Sequence, residues 1–195
     1  MNRVRVLFAG IVGGIVMFCF GAAAHMVLHV DHLYVRPLPA DSPVTSQLKS
    51  TLTERGFYFF PGMDESSLTD EETERWMAQL RAGPRGIVVF DPSGGEMMEP
   101  RQLGNEFASN VAAALALAIV LANVRANWLG RTFLAGLVGV FATLSIDVSY
   151  WNWYRFPDGL LAASLIEQGL GWLLAGAFIA AVLGRAKATP PVGNL

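Results

Sequence analysis

The chain has 195 residues, 53% of them hydrophobic and 15% charged, with a mean hydropathy of +0.41. Soluble domains carry about a quarter charged residues, so this composition excludes an ordinary water-soluble fold. The formal charge of −2 gives no basic surface for nucleic acid, and a single cysteine, Cys19, excludes an intramolecular disulfide.

The first apolar stretch, residues 6–30, is long enough to cross a bilayer, which takes about 20 mostly apolar residues in a helix. Arg3 and Arg5 before it and Ala22-Ala23-Ala24 within it also resemble a secretory signal with a cleavage site after Ala24. Met26, Val27, Leu28 and Val30 continue the apolar run past that point, so an uncleaved transmembrane helix is expected. Cys19 reads as a small apolar space-filler. All three histidines, His25, His29 and His32, follow at i, i+4 and i+7, the spacing of one helical face.

Residues 31–105 form an insert that reads as structured. Ser42-Pro43 offers a helix start, followed by Val44, Leu48 and Leu52 at i, i+4 and i+8 and a stop at Gly56. A second helix starts at Thr69, where Glu72 completes a capping box, and ends at Gly83-Pro84. Its expected buried stripe is Thr73, Trp76, Met77 and Leu80. A strand-like run follows each helix, Phe57-Tyr58-Phe59-Phe60 and then residues 86–90, each closed by turn residues. The insert is therefore expected to be a small α+β unit with a two-stranded ribbon. Two strands alone are marginal, so the four aromatics should pack as core and interfacial anchors, or else face a partner or lipid. The acids Asp64, Glu65, Asp70, Glu71, Glu72 and Glu74 lack the alternation and the glycine of a calcium loop. They read instead as a solvated face matched to a helix dipole.

Three further spans are expected over residues 107–124, 132–150 and 159–184, with a disordered tail over 185–195. Glu106 and Asn110 open the second, Asp147 lies near the end of the third, and Glu167 lies about 12 Å into the fourth. The connection Tyr150-Trp151-Asn152-Trp153-Tyr154-Arg155-Phe156-Pro157 is dense in aromatics of the kind that anchor at headgroup level. With the N-terminus inside, the cytoplasmic pieces hold Arg3, Arg5, Arg125, Arg131, Arg185 and Lys187 and no acid, whereas residues 31–101 hold twelve acids against seven bases. Short loops rich in Lys and Arg stay inside, so both termini are expected in the cytoplasm of a bacterial inner-membrane protein. Gly10-x-x-x-Gly14 and the small residues of the second and fourth spans suit close helix packing, internal or between copies.

The fold class that follows is a membrane all-α bundle of four transmembrane helices with a periplasmic α+β insert after the first. No phosphate loop, nucleophile elbow, cysteine ligand pair or inverted repeat of the transporter kind is found, so no catalytic residue and no cofactor are predicted. Ionisable groups inside a membrane face partners or cavities. That makes His25, His29, Asp147 and Glu167 the candidate site for a divalent metal ion or a proton-linked pocket. Phe57, Tyr58, Phe59, Phe60, Trp151, Trp153 and Tyr154 are the candidate interface residues.

The first span ending near His25, Tyr58-Phe59-Phe60-Pro61, Gly83-Pro84 with Val88-Val89-Phe90, and Trp153-Tyr154 before Pro157 together carry a resemblance. The chain resembles a group of small bacterial inner-membrane proteins with four spans and a periplasmic insert. That resemblance implies the architecture and no activity. The expected function is a non-enzymatic accessory or structural role in the cell envelope, with the bilayer and another envelope protein or a second copy as partners. A metal-binding or redox protein using His25 and His29 is the alternative, and a small oligomeric proton-linked transporter is the third.

Overall fold

The computed structural model describes residues 2–63 and 69–184 and divides into two compact units. Asp64 and Glu65 of the acidic group, and the tail over 185–195, lie outside the described residues. Among the described residues, the first unit holds four helices long and apolar enough to cross a membrane: span 1 (Arg3–Met26), span 2 (Pro100–Asn123), span 3 (Trp128–Tyr154) and span 4 (Asp158–Leu183). The last residues of span 3, Trp153 and Tyr154, count with the second unit.

The spans are inside out relative to a soluble bundle. Many of their buried positions are small, as with Ala9, Ala114, Ala118, Ala135 and Ala175, whereas Phe133 and Phe141 are 62% and 70% exposed. Water would penalise that surface heavily, but lipid does not. Span 1 packs on spans 2 and 4, and span 4 packs on spans 1 and 3, so the order across the bundle is 2-1-4-3. Close approach is made by glycine: a Cβ at Gly10 would lie 2.8 Å from the Leu115 backbone, and one at Gly14 would lie 2.6 Å from that of Val111. The Gly10-x-x-x-Gly14 pair thus serves the internal contact with span 2.

At one end of the bundle two arginines close helix C-termini. Arg5 Nε donates to Val182 O (2.5 Å), and the buried Arg131 donates to Gly184 O (2.7 Å) and Val124 O (3.2 Å). Cations belong at helix C-termini, where the last carbonyls lack intrahelical partners.

Span 1 does not continue to Val30 as the apolar run suggests. It ends at Met26, and the Val27 and Leu28 amides both donate to Ala23 O. His29 then enters the left-handed region at φ 49 and a 3-10 helix follows over Val30–Leu33. The three histidines therefore do not share one α-helical face. Spans 3 and 4 each contain a π-helical segment, Thr143–Asp147 and Leu165–Leu170. Such widened turns occur often at functional sites, and one of these holds Asp147 and the other Glu167. In the first, the Ser145 hydroxyl donates to Phe141 O (2.8 Å), a side-chain donor of the kind that satisfies perturbed helix carbonyls in lipid.

The second unit comprises Arg36–Met97 with Trp153–Arg155. Its helices are Val44–Thr51 and Asp70–Ala82, and its strands β1 (Gly56–Phe60) and β2 (Gly86–Phe90) pair antiparallel with Gly56 opposite Phe90. The Phe60 ring covers Gly86 across the ladder. Trp76 donates to Pro61 O (3.0 Å) and is half-buried with Met77 and Leu80. Thr73 is exposed instead and donates to Thr69 O.

The expected capping box at Thr69 forms. The Glu72 amide donates to Thr69 Oγ1, and the Thr69 amide and hydroxyl both donate to the Glu72 carboxylate at 2.8 Å. The Thr69 amide, then its hydroxyl, holds the Glu72 carboxyl below its ordinary 4.5. A lowered folded value means the cap contributes fully above 4.5 and is lost as pH falls through that lower value. A side-chain NMR titration should place the Glu72 midpoint below 4.5, and a midpoint at or above 4.5 removes this account of the cap.

Candidate binding site in the bundle

Three polar side chains meet at one cavity of the bundle because their helices bring them to it. His25 sits in the last turn of span 1, Glu106 in the second turn of span 2, and Glu167 in the π-helical segment of span 4. They line a cavity of about 520 Å³ together with Asn110, Gln168, Trp172 and the apolar Met17, Phe18, Met26, Met98 and Leu103. A few polar groups in a mostly apolar cleft of this size are what a small-molecule site presents, typically within about 300–1,000 Å³.

The polar groups are held by neighbours. Asn110 Nδ2 donates to Glu106 Oε1 (3.0 Å), one helical turn apart, and Trp172 Nε1 donates to Gln168 Oε1 (2.9 Å) in the same way. His25 Nε2 lies 3.2 Å from Glu167 Oε1. That atom is shut off from solvent, and the contact lacks hydrogen-bond geometry, so the carboxylate is approached by the imidazole without being satisfied by it. A buried polar atom without a partner is costly.

The charges around Glu167 have one sign. Asp147, Asp31 and Glu106 all lie within electrostatic reach of its carboxylate, and the His25 imidazole stands beside it. Burial, then the charges of Glu167 and Asp31, push the Tyr34 hydroxyl above its ordinary 10.0. Four carboxylates near one imidazole favour a cation among them.

Of the four candidate metal ligands, His25 and Glu167 are brought together, and Asp147 is within electrostatic reach of Glu167. His29 instead gathers with Asp31 and His32 in the turn after span 1. Glu106 and Asn110, the polar residues that open the second span in the sequence, also line the cavity. Gln168 and Trp172 were missed, although their i, i+4 spacing from each other and the adjacency of Gln168 to Glu167 were available in the sequence.

The candidate interface aromatics divide by neighbour. Trp151 Nε1 donates to Asp158 Oδ1 (2.7 Å), tying the ends of spans 3 and 4. Within the second unit Phe57 meets Tyr154 edge to face at 5.5 Å, Tyr58 donates to Glu54 O, and Trp153 is 76% exposed. Phe59 and Phe60, with Leu48 and Leu52, line an apolar groove of about 630 Å³ between the helix Val44–Thr51 and the ribbon.

No family model matches the chain, and no curated protein or solved structure matches it significantly.

Proposed function

We propose that this is a multi-pass bacterial inner-membrane protein with both termini cytoplasmic. It acts as a non-enzymatic accessory protein of the envelope by binding a small lipophilic cation in the cavity at His25, Glu106 and Glu167. The observation that carries the ligand reading is the buried Glu167 oxygen, which lines the cavity with no hydrogen bond while three further carboxylates lie within reach. A cation supplies the missing charge, and the surrounding Met, Phe, Leu and Trp side chains suit an apolar body. Support for the orientation comes from the arginines: Arg3, Arg5, Arg125 and Arg131 fall at span ends of one sidedness, and short basic segments stay inside. The apolar groove of the insert supports an accessory role with a protein partner.

Equilibrium dialysis of the detergent-purified protein against tetraphenylphosphonium tests the ligand reading. Saturable binding is expected in the wild type, weakened at least about tenfold in Glu167→Gln, which removes one charge and so roughly 1.4 kcal/mol or more. A lipophilic anion such as tetraphenylborate should bind no better to the wild type than to the variant. Equal cation binding by both proteins overturns the proposal.

A further inference from the structure

The turn after span 1 holds a second set of ligand-type side chains, separate from the cavity pair. A 3-10 helix has three residues per turn, so side chains at i and i+3 eclipse. His29, immediately before the helix Val30–Leu33, and His32 within it are such a pair, and their rings stack with centroids 5.1 Å apart and planes 14° apart. Asp31 lies between them in the chain, and one ligand atom from each of the three lies within 4.8 Å of the others.

Two further observations point to an occupant. Asp31 Oδ1 is closed to solvent and has no hydrogen-bond partner, so the cluster carries an unmatched negative oxygen. The turn is also closely packed. Val30 is buried with Ala24 and Ala163, and the Leu33 carbonyl packs on Gly159 so tightly that a Cβ there would lie 2.0 Å from its oxygen. His29 is held at φ 49, a conformation that non-glycine residues adopt at a cost. Backbone cost of this kind clusters where a ligand is clamped.

We propose that His29, Asp31 and His32 form a site for one divalent cation of the zinc class. Two imidazole nitrogens and one carboxylate oxygen suit Zn²⁺, Ni²⁺ or Cu²⁺, whereas Ca²⁺ and Mg²⁺ demand oxygen donors. Zinc–ligand bonds near 2.0–2.1 Å in a tetrahedron put ligand atoms about 3.3 Å apart. His29 and His32 are exposed, so rotation of their side chains closes the set from its present spread. Three protein ligands leave a fourth position for water or for a group brought by a partner. The set contains neither His25 nor Glu167. Although Asp31 is also one of the carboxylates within reach of Glu167, His29 and His32 belong to this site alone and His25 to the cation pocket alone, so substitutions there tell the two proposals apart.

The test is zinc titration of the full chain in detergent after chelator stripping, read by competition with a chromophoric chelator. One Zn²⁺ per chain is expected in the wild type. His29→Ala and His32→Ala should each weaken it at least about 100-fold and Asp31→Asn at least about tenfold, while His25→Ala and Glu167→Gln still bind one Zn²⁺ per chain. Cobalt in place of zinc should give the visible bands of a tetrahedral site, lost in His29→Ala. His29→Gln and His32→Gln, which keep size and polarity, replace any alanine variant whose thermal unfolding shows it is not folded. Absence of stoichiometric zinc in the folded wild type overturns the proposal. So does zinc binding that survives the His29 and His32 substitutions, or binding abolished by His25→Ala.

Discussion

Replacing Arg131 by alanine is expected to lower the midpoint of thermal unfolding by roughly 10 °C, a loss of about 3 kcal/mol. Arg131 is 2% exposed and is among the largest fully buried side chains. Its guanidinium donates to Gly184 O at the end of span 4 and to Val124 O at the end of span 2. One side chain thus closes two helix C-termini that the chain itself leaves open, from the start of a third helix. Alanine removes both charge-assisted bonds, leaves both carbonyls without that donor, and opens a void among three spans. Lysine keeps the charge but lacks the fork that serves two carbonyls at once, so Arg131→Lys should lose about half as much. A change below about 2 °C for Arg131→Ala would mean that the arginine only fills space and that water replaces it.

The second large effect is expected at Gly139, where span 3 meets the π-helical segment of span 4. A Cβ at Gly139 would lie 2.0 Å from Gln168 O and 2.6 Å from its carbonyl carbon. Both are backbone atoms, so no rotamer change relieves the clash and the helices must separate. Gly139→Ala should cost about 1–3 kcal/mol. It should also move Gln168, and with it the adjacent Glu167, away from the cavity, so cation binding should weaken together with stability. Gly21 lines the same cavity, and a Cβ there would meet nothing within 4 Å, so Gly21→Ala is the matched control and should be close to neutral. Equal stability and binding for Gly139→Ala and Gly21→Ala would contradict the close contact between spans 3 and 4.

The spans and the insert were legible because both rest on local signals. Runs of apolar residues marked all four helices, and Thr69 with Glu72 marked a helix start that forms as expected. Turn residues bounded both strands to within a residue. The ends of the spans were less legible. Span 2 begins at Pro100 rather than near residue 107 because Arg101, Gln102, Asn105 and Glu106 lower the local hydropathy without breaking the helix. There the Gln102 side chain accepts from the Glu99 amide (3.1 Å), closing a turn that hydropathy alone does not report.

The candidate site was half legible. The polar residues in each span were visible, but which of them meet depends on helix rotation and on two π-helical turns that leave no periodic signature. The break at Met26 was hidden because Val27, Leu28 and Val30 keep the apolar pattern running through a segment that is no longer α-helix. That break separates His29 from the face of His25 and joins it to Asp31 and His32. A signal for the new grouping was present: His29-Val30-Asp31-His32 holds three ligand-type residues within four positions.

The most direct measurement of the central claim is photolabelling of the membrane-embedded protein with a diazirine-bearing phosphonium, with the labelled residues mapped by mass spectrometry. The cation pocket predicts label on Met17, Met26, Leu103 or Trp172, suppressed by excess tetraphenylphosphonium and by Glu167→Gln. Label confined to the insert groove at Leu48, Leu52 or Phe59, or cavity label indifferent to Glu167→Gln, would contradict it.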